Sequence, residues 1–357
     1  MKERVIYIDI LRILATFAVV LLHSASSFWY TNPTTINWQF SNFYDSLVRW
    51  CVPMFVTISG ALFLRDNKER SNIKSEYKKI ISKNIFRILT ALIIWSIAYK
   101  IYTDIANNSA VLNKEFIKLF LKIFVYPIYY HLWFLYLIIG LYILAPLLKI
   151  FTKNATKQEV EIFLILFLTF GLGLNLANSL LEFFGFSPIY FNKNLPELGG
   201  YIGYFIAGFY FTNFTLSKKC RKYLYILAFI FVLFTITGTS LLSIHIKRTE
   251  ILYQNLTPHT AFITFAIFVF VKDKFYHYNF SQKASNLIVK TSLLTFGIYL
   301  IHALVLDLLK KTALFKIGYF TNYTAILIPI LAVTVFVLSI FLIYLLSKIP
   351  FFKKYAM

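Results

Sequence analysis

Apolar runs of about 20 residues recur along the whole chain, and they limit its possible folds more than any other feature. A run of this length crosses the hydrocarbon core of a bilayer as an α-helix. Of the 357 residues, 59% are hydrophobic and 14% are charged, whereas soluble domains contain about a quarter charged residues. No polar stretch is long enough to bury a core of its own. The sequence therefore predicts an all-α integral membrane protein with one transmembrane domain, residues 1–357.

The apolar runs predict about ten transmembrane helices. Their predicted ranges are 6–28, 42–64, 84–106, 131–151, 160–178, 196–213, 221–244, 256–272, 290–311 and 322–347. The stretch 114–129 has Lys114, Lys118 and Lys122 among Phe and Leu residues. This mixture is typical of an amphipathic helix that lies at the membrane interface.

The formal charge of +21 is spread over short loops between the apolar runs. A nucleic-acid-binding domain instead collects its basic residues on one folded face, so nucleic acid is not a predicted partner. Most of the basic loops fall on one side of the membrane, and the positive-inside rule places that side in the cytoplasm. We expect both termini in the cytoplasm and a multi-pass protein of the cell inner (plasma) membrane, with the lipid bilayer as its solvent.

The two cysteines, Cys51 and Cys220, are far apart in sequence. The sequence contains no CxxC pair and no Cys/His spacing typical of a zinc site. Neither a disulfide framework nor a metal centre is predicted.

The first helix carries a row of polar side chains. At about 100° per residue, five of them fall within a narrow arc: Asp9, Arg12, Thr16, His23 and Ser27. Because lipid does not solvate ionisable groups, this row must face the protein interior or a wet cavity. Asp9 and Arg12 lie near the helix end, where a simple ion pair is an equal alternative to function. His23, about 16 Å further along the helix, favours a functional site.

Four further polar or aromatic positions lie in or beside the apolar runs. Arg49 begins the second predicted helix, before Pro53, and a kinked packing helix does not account for its charge. His131, two residues before Trp133, is equally typical of an interfacial anchor and of a site. Tyr299 and His302 lie one turn apart in the ninth helix, where His302 suits either a structural hydrogen bond or a direct role.

In combination, these residues resemble the membrane-bound acyltransferase family 3, the stand-alone kind that acylates cell-surface sugars. The signature is an arginine, ten residues and a histidine in the first helix, here Arg12 and His23. Three more motifs follow in the family's order: Arg49 with Val52-Pro53-Met54-Phe55 and Ser59-Gly60, His131-Leu132-Trp133, and Gly297-Ile298-Tyr299 with His302. The resemblance covers essentially the whole chain and implies a single transmembrane acyltransferase domain over residues 1–357.

The resemblance implies transfer of an acyl group from cytoplasmic acyl-CoA, as co-substrate, to a hydroxyl of a cell-surface or lipid-linked saccharide. His23, Arg12 and Asp9 are the implied catalytic residues; Arg49, His131, Trp133, Tyr299 and His302 are the implied substrate-binding residues. Lys83 and Arg87, with Lys78 and Lys79, would hold the CoA phosphates at the cytoplasmic end; for the three lysines, the ordinary positive charge of a cytoplasmic loop is an equal alternative. The family often has Arg-x-x-Arg here, whereas this chain keeps only the second arginine and has Lys83 beside the first position.

The residues alone leave the mechanism and two rival functions open. His23 is suited to act as general base on the hydroxyl or to accept the acyl group itself. The same polar side chains suit a transporter or flippase of lipid-linked saccharides, or a membrane sensor that binds a ligand without chemistry. The acyl group, the sugar and its glycan are not specified by the sequence.

Overall fold

The computed structural model describes residues 4–65, 72–108, 118–119, 121–189, 200–312 and 323–355. Within these ranges the chain is helical and has no strand, so the predicted all-α membrane class is confirmed. The helices are α1 (Ile6–Ser26), α2 (Ile36–Val48), α3 (Cys51–Phe63), α4 (Ile73–Ala106), α5 (Trp133–Asn154), α6 (Lys157–Phe183), α7 (Gly200–Asn213), α8 (Lys218–His245), α9 (Pro258–Phe275), α10 (Gln282–Lys310), α11 (Thr324–Leu346) and α12 (Pro350–Tyr355).

Nine helical segments in the described ranges are long and apolar enough to cross a membrane, with α2 and α3 counting as one. The remaining predicted span, 196–213, corresponds to α7, which has 14 residues; its predicted first residues, 196–199, lie outside the described ones. Of the predicted interfacial helix at 114–129, residues 114–117 and 120 lie outside the described ones. Residues 118–119 and 121–122 are helical, and 123–125 form turns.

The second predicted span differs from the structure in its start and its continuity. Helix α2 begins at Ile36, where the Thr35 side chain caps the first turn, and the helix is interrupted at Arg49–Trp50. Pro53 falls in the first turn of α3, where a missing backbone N–H breaks no hydrogen bond. The prediction that Arg49 begins the second helix is therefore wrong: Arg49 lies at the break between its two halves.

Helix α4 also begins earlier than predicted, at Ile73 instead of residue 84. Residues Ile80–Ile85 form a π-helical stretch within it, and such stretches are frequent at functional sites. Lys83 lies in this stretch and its side chain is exposed.

Helix α1 lies at the centre of the bundle and packs against α2, α3, α9, α10 and α11. It runs parallel to α10, because Asp9 contacts Ser292, and His23, which comes later in α1, contacts His302, which comes later in α10. The Tyr355 ring contacts Phe86 of α4. The next residue, Arg87, is within range of the Arg12 charge, so Tyr355 lies at the same end of the bundle as Arg12 and Asp9. Both ends of the described chain thus lie at one end of the bundle, here called the basic end; its assignment to the cytoplasm stays a prediction.

Helices α3 and α7 approach each other closely at two glycines. A Cβ on Gly60 would lie 1.7 Å from the Phe205 carbonyl oxygen, and one on Gly208 would lie 1.9 Å from the Thr57 carbonyl oxygen. No side chain fits at these distances, because the obstructing atoms are backbone. Small residues of this kind allow membrane helices to pack by van der Waals contact.

We expect Gly208→Val to destabilise the fold by at least about 3 kcal/mol, because overpacking against backbone cannot be relieved by a side-chain rotation. Gly140→Val is the matched control, since a Cβ on Gly140 meets no atom within 4 Å. The thermal midpoint of the detergent-purified proteins measures the difference. Equal midpoints for the two variants would contradict the close packing of α3 and α7.

Candidate active site

Asp9 is the centre of a polar cluster at the basic end. Its carboxylate accepts hydrogen bonds from Arg4, Nε at 2.8 Å and Nη2 at 3.0 Å, and from the Ser292 hydroxyl at 2.6 Å. Arg12 Nη1 lies 3.8 Å from the same carboxylate. Asp9 is almost fully buried, whereas 35% of the Arg12 side chain is exposed. The carboxylate is thus bonded mainly to Arg4 and Ser292, and the Arg12 guanidinium keeps open hydrogen-bonding capacity.

Arg12 has a second arginine nearby. The guanidinium groups of Arg12 and Arg87 lie within range of each other's charge and of the Tyr142 hydroxyl, which hydrogen-bonds with Ser59. The Arg87 guanidinium also lies 5.6 Å from the Phe296 ring centre. Helices α1, α4 and α5 therefore bring two arginines together at the basic end, a charge arrangement suited to an anionic group.

A cavity of about 360 Å³ also lies at the basic end, and neither Arg12 nor Arg87 is among the residues that line it. It is lined by the α7–α8 loop, the start of α8 and the end of α9, and includes Arg221, Lys272 and Asp273. Arg221 is paired with Asp273 at 2.6 Å, and Lys272 donates to the Phe211 carbonyl at 2.5 Å. These two cations are already bound to protein groups, whereas the Arg12 side chain is 35% exposed and, among the described residues, makes only the 3.8 Å contact with Asp9 described above.

Three histidines meet at the opposite end of the bundle, and this is the most distinctive feature of the structure. The His23 and His302 rings are stacked, with centres 5.3 Å apart. The His131 ring lies edge-on to His302 at 5.1 Å, and the Tyr130 ring lies edge-on to His23 at 4.9 Å. Three segments that are distant in sequence contribute one imidazole each. We call His23, His131 and His302 the histidine cluster.

Backbone carbonyls fix two of these imidazoles. His302 Nδ1 lies 2.6 Å from the Tyr299 carbonyl oxygen, and His131 Nε2 lies 3.3 Å from the Leu300 carbonyl oxygen. The Tyr299 hydroxyl donates to the His131 carbonyl. Tyr299 thus ties α10 to the segment before α5, and both rings are held in a defined orientation. His131 is 2% exposed, which excludes the interfacial anchor as its role.

Two tyrosines, Tyr99 and Tyr129, pack against the His131 ring of the cluster. Tyr99 and Tyr129 are stacked with ring centres 4.2 Å apart, and the Tyr99 hydroxyl donates to the Leu300 carbonyl at 2.8 Å. Tyr129, which precedes α5, donates to the Asp307 carboxylate. Burial and then this hydrogen bond raise the pKa of the Tyr129 hydroxyl above its usual value, so it stays a hydrogen-bond donor.

Arg49 lies near the histidine cluster but is largely engaged by protein groups. Its Nη2 is 2.5 Å from the Asp45 carboxylate, and its guanidinium lies 3.8 Å above the Tyr253 ring centre. His23 is within range of its charge. Arg49 Nε and Asp45 Oδ1 are buried without a hydrogen-bond partner among the described residues. The pair therefore retains one donor and one acceptor for a ligand.

Three aromatic side chains lie between the two ends of the bundle. Phe55, Phe134 and Tyr299 pack against one another with ring centres 5.7 to 6.4 Å apart. Along their helices they lie between the histidine cluster and the Tyr142–Ser59 pair.

The comparisons with known proteins give one match. Residues 5–348 match the family model described as an acyltransferase domain, acyltransferase family 3. The chain belongs to this acyltransferase family. No curated protein and no solved structure matches it significantly. The match covers nearly the whole chain, so the helices described above form a membrane acyltransferase.

The structure places most of the residues expected for this family in two groups, and two of them lie outside both groups. Asp9, Arg12 and Arg87 lie together at the basic end. His23, His131, His302 and Tyr299 lie together at the other end, with Arg49 nearby. Trp133 instead faces α7, with its ring centre 6.2 Å from that of Tyr201, and Lys83 is exposed on the π-helical stretch.

The sequence analysis missed several side chains that complete these groups. Asp45 is the carboxylate partner of Arg49, four residues earlier in α2, and this spacing on one helix face was a usable signal. Ser292 and Tyr142 reach the Asp9 and Arg12 region from distant helices. Such long-range neighbours leave no local pattern in one sequence.

No set of three or more His, Cys, Asp or Glu side chains in the described part of the chain is arranged to hold a metal ion. This includes the histidine cluster, whose rings stack and meet edge-on instead of converging on a point.

Proposed function

We propose that this acyltransferase moves an acetyl group from cytoplasmic acetyl-CoA to a hydroxyl of a cell-surface or lipid-linked saccharide in the cell inner (plasma) membrane. One observation carries the proposal: α1 presents a guanidinium at one end and an imidazole about 16 Å away at the other, both in contact with polar groups of the protein. When the donor enters from one side of the membrane and the acceptor from the other, the groups that bind them must lie at opposite ends of the bundle.

The donor end suits the phosphates and thioester arm of an acyl-CoA. Arg12 and Arg87 supply two guanidinium groups, which bind phosphate through paired N–H donors. Lys83, with Lys78 and Lys79 on the same helix, adds positive charge at the entry. Asp9, held by Arg4 and Ser292, orients the start of α1 and restrains Arg12.

The acceptor end suits activation of a hydroxyl, which is a weak nucleophile at neutral pH. In direct transfer, His23 takes the hydroxyl proton as the oxygen attacks the thioester carbonyl. An ester bond forms, the carbon–sulfur bond breaks, and the proton passes to the departing CoA thiolate. In the stepwise alternative the His23 nitrogen attacks the thioester carbonyl, the carbon–sulfur bond breaks, and CoA leaves as the thiol with the imidazole proton. The hydroxyl then attacks the acyl carbon, the carbon–nitrogen bond breaks, and the hydroxyl proton passes to the released imidazole.

The choice of acetyl and of a surface glycan rests on a sequence likeness. The run Tyr130-His131-Leu132-Trp133-Phe134 is similar to that of the enterobacterial common-antigen O-acetyltransferases. In this structure the same run contributes His131 to the histidine cluster and Trp133 to the contact with Tyr201. Aromatic rings of this kind are common in binding pockets.

The transfer itself is the direct test. Membranes that contain the protein are incubated with labelled acetyl-CoA, and the label is followed into the glycan fraction by mass spectrometry. We expect label in the glycan only when the protein is present. Saccharide movement across the membrane without consumption of acetyl-CoA would contradict the proposal and favour a flippase.

Binding of the donor provides an independent prediction. Acetyl-CoA at about 100 times its dissociation constant should stabilise the detergent-purified protein by about 2.7 kcal/mol, because a ligand that binds only the folded state raises its stability. Adenosine at the same concentration is the control, since it lacks the phosphates and the thioester arm. No rise in the thermal midpoint at saturating acetyl-CoA would contradict an acyl-CoA site.

A further inference from the structure

Two imidazoles of the histidine cluster each have one nitrogen bonded to a backbone carbonyl. A carbonyl oxygen only accepts hydrogen bonds, so the bonded nitrogen must carry the proton. His302 is therefore protonated on Nδ1, which contacts the Tyr299 carbonyl. His131 is protonated on Nε2, which contacts the Leu300 carbonyl. In the neutral rings the other nitrogens, His302 Nε2 and His131 Nδ1, carry lone pairs and act as acceptors.

Both of these acceptor nitrogens are buried without a partner among the described residues. His302 is 0% exposed and His131 is 2% exposed. Buried polar atoms are nearly always hydrogen-bonded, so two unpartnered acceptors on adjacent rings call for an explanation. Both rings belong to the cluster that contains His23, and the His302 ring is stacked on it.

We infer that His131 and His302 form a hydroxyl-binding pair, which orients a polyhydroxyl acceptor beside His23 through two lone-pair nitrogens of fixed tautomer. The inference rests on the proposed function and names how its acceptor is recognised. A hydroxyl group satisfies such a nitrogen by donating its hydrogen, whereas a carboxylate or phosphate oxygen has no hydrogen to donate. The pair thus selects neutral, hydroxyl-rich ligands such as sugars over anions.

The positions of the bonded nitrogens allow a test with paired substitutions. An asparagine side chain places its amide near the position of Nδ1, and a glutamine side chain reaches the position of Nε2. At position 302, His302→Gln keeps an acceptor at the Nε2 position, whereas His302→Asn keeps only the bond to the Tyr299 carbonyl. At position 131 the roles are exchanged: His131→Asn keeps the acceptor, and His131→Gln keeps only the bond to the Leu300 carbonyl.

We therefore expect opposite orders of activity at the two positions. In membranes supplied with labelled acetyl-CoA, His302→Gln should transfer at least about tenfold faster than His302→Asn, and His131→Asn at least about tenfold faster than His131→Gln. Tenfold corresponds to the loss of one neutral hydrogen bond. A purely structural role predicts the reverse order at both positions. The reverse order, or equal activity within each pair, would overturn the inference.

His259 is the matched control for these pairs. It is another buried histidine whose Nε2 contacts a backbone carbonyl, that of Leu252 at 2.9 Å, while its Nδ1 has no partner among the described residues. It packs against Phe231 and Phe234 rather than the histidine cluster. His259→Asn and His259→Gln should differ in thermal midpoint and transfer acetyl at the same rate per folded molecule. A tenfold difference in transfer between them would show that the comparison reports general packing, and would overturn the inference.

Two further results separate this inference from the proposed function. Absence of transfer by the wild-type protein would refute the proposed function and the inference together, whereas an active wild type with the reverse order refutes the inference alone. If a variant does not fold, the tautomers are measured directly by ¹⁵N NMR of histidine-labelled wild-type protein. Protonated Nδ1 in His302 and protonated Nε2 in His131 are expected, and the opposite assignment at either ring would overturn the inference.

Discussion

Replacing His23 with alanine should reduce acyl transfer at least about a hundredfold and leave the protein in the membrane. A general base contributes about 10² to 10⁴ to the rate, and the hydroxyl acceptor has no activation without it. The loss should appear in the rate at saturating acetyl-CoA, because His23 lies at the opposite end of the bundle from Arg12 and Arg87. Transfer of labelled acetyl to the glycan fraction of membranes measures it.

His245→Ala is the control for this prediction. His245 is the last residue of α8, and its side chain is exposed, so its removal should leave transfer unchanged. Retained transfer by His23→Ala would remove His23 from the chemistry. Acid quenching of the wild-type reaction distinguishes the two routes: labelled acetyl bound to the protein, and absent from His23→Ala, indicates the stepwise route.

The sequence predicted the part of the site that lies on one helix. The spacing of Asp9, Arg12 and His23 along α1 is local, so helical geometry alone placed them on a common face. The structure confirms that this face contacts protein, since Asp9 meets Ser292 and His23 meets His302. Hydropathy likewise predicted the all-α membrane class and the spans, because the ability of a segment to cross a membrane depends on two local features, its length and its apolar residues.

The contacts that these residues make with distant segments could not be predicted from local sequence patterns. The i,i+3 spacing indicated an Asp9–Arg12 ion pair as an equal alternative to function, and that contact is present at 3.8 Å. The shorter contacts of the Asp9 carboxylate are with Arg4, which precedes the helix, and with Ser292 of α10. The sequence also gave no reason to expect His131 next to His302. Their meeting depends on how the segment before α5 packs against α10, which is a property of the assembled bundle.

The start of the second span was missed for a different reason. Residues 36–48 contain Asn, Gln and Asp side chains that lower the local hydropathy, so the predicted span began at residue 42. In the structure Asn42 and Asp45 are buried, and the Asn42 side chain bonds to the Ile236 carbonyl and the Tyr253 hydroxyl. Buried polar residues with partners behave as core, and hydropathy does not register the partners.

Replacing Arg12 with alanine should lower kcat/KM for acetyl-CoA by about 10² to 10³, the effect of removing a charged donor from a site where negative charge is bound or develops. Arg12→Lys should lose less, about tenfold, since it keeps the charge and loses the planar pair of donors. A higher KM for acetyl-CoA with transfer at saturation little changed would assign Arg12 to donor binding. Loss at saturation would assign it to the developing charge.

Arg4→Ala is the variant that distinguishes a direct role of Arg12 towards the donor from a role in neutralising the Asp9 carboxylate. Both arginines contact the Asp9 carboxylate, but Arg4 does so at 2.8 Å and Arg12 at 3.8 Å. If the arginines only neutralised that buried carboxylate, removal of Arg4 would be the more harmful change, because it takes away the shorter, hydrogen-bonded contact. We expect the reverse for transfer: Arg4→Ala lowers the thermal midpoint and retains most of the activity per folded molecule, whereas Arg12→Ala loses activity. Equal losses of transfer in the two variants would refute a direct contact between Arg12 and the donor.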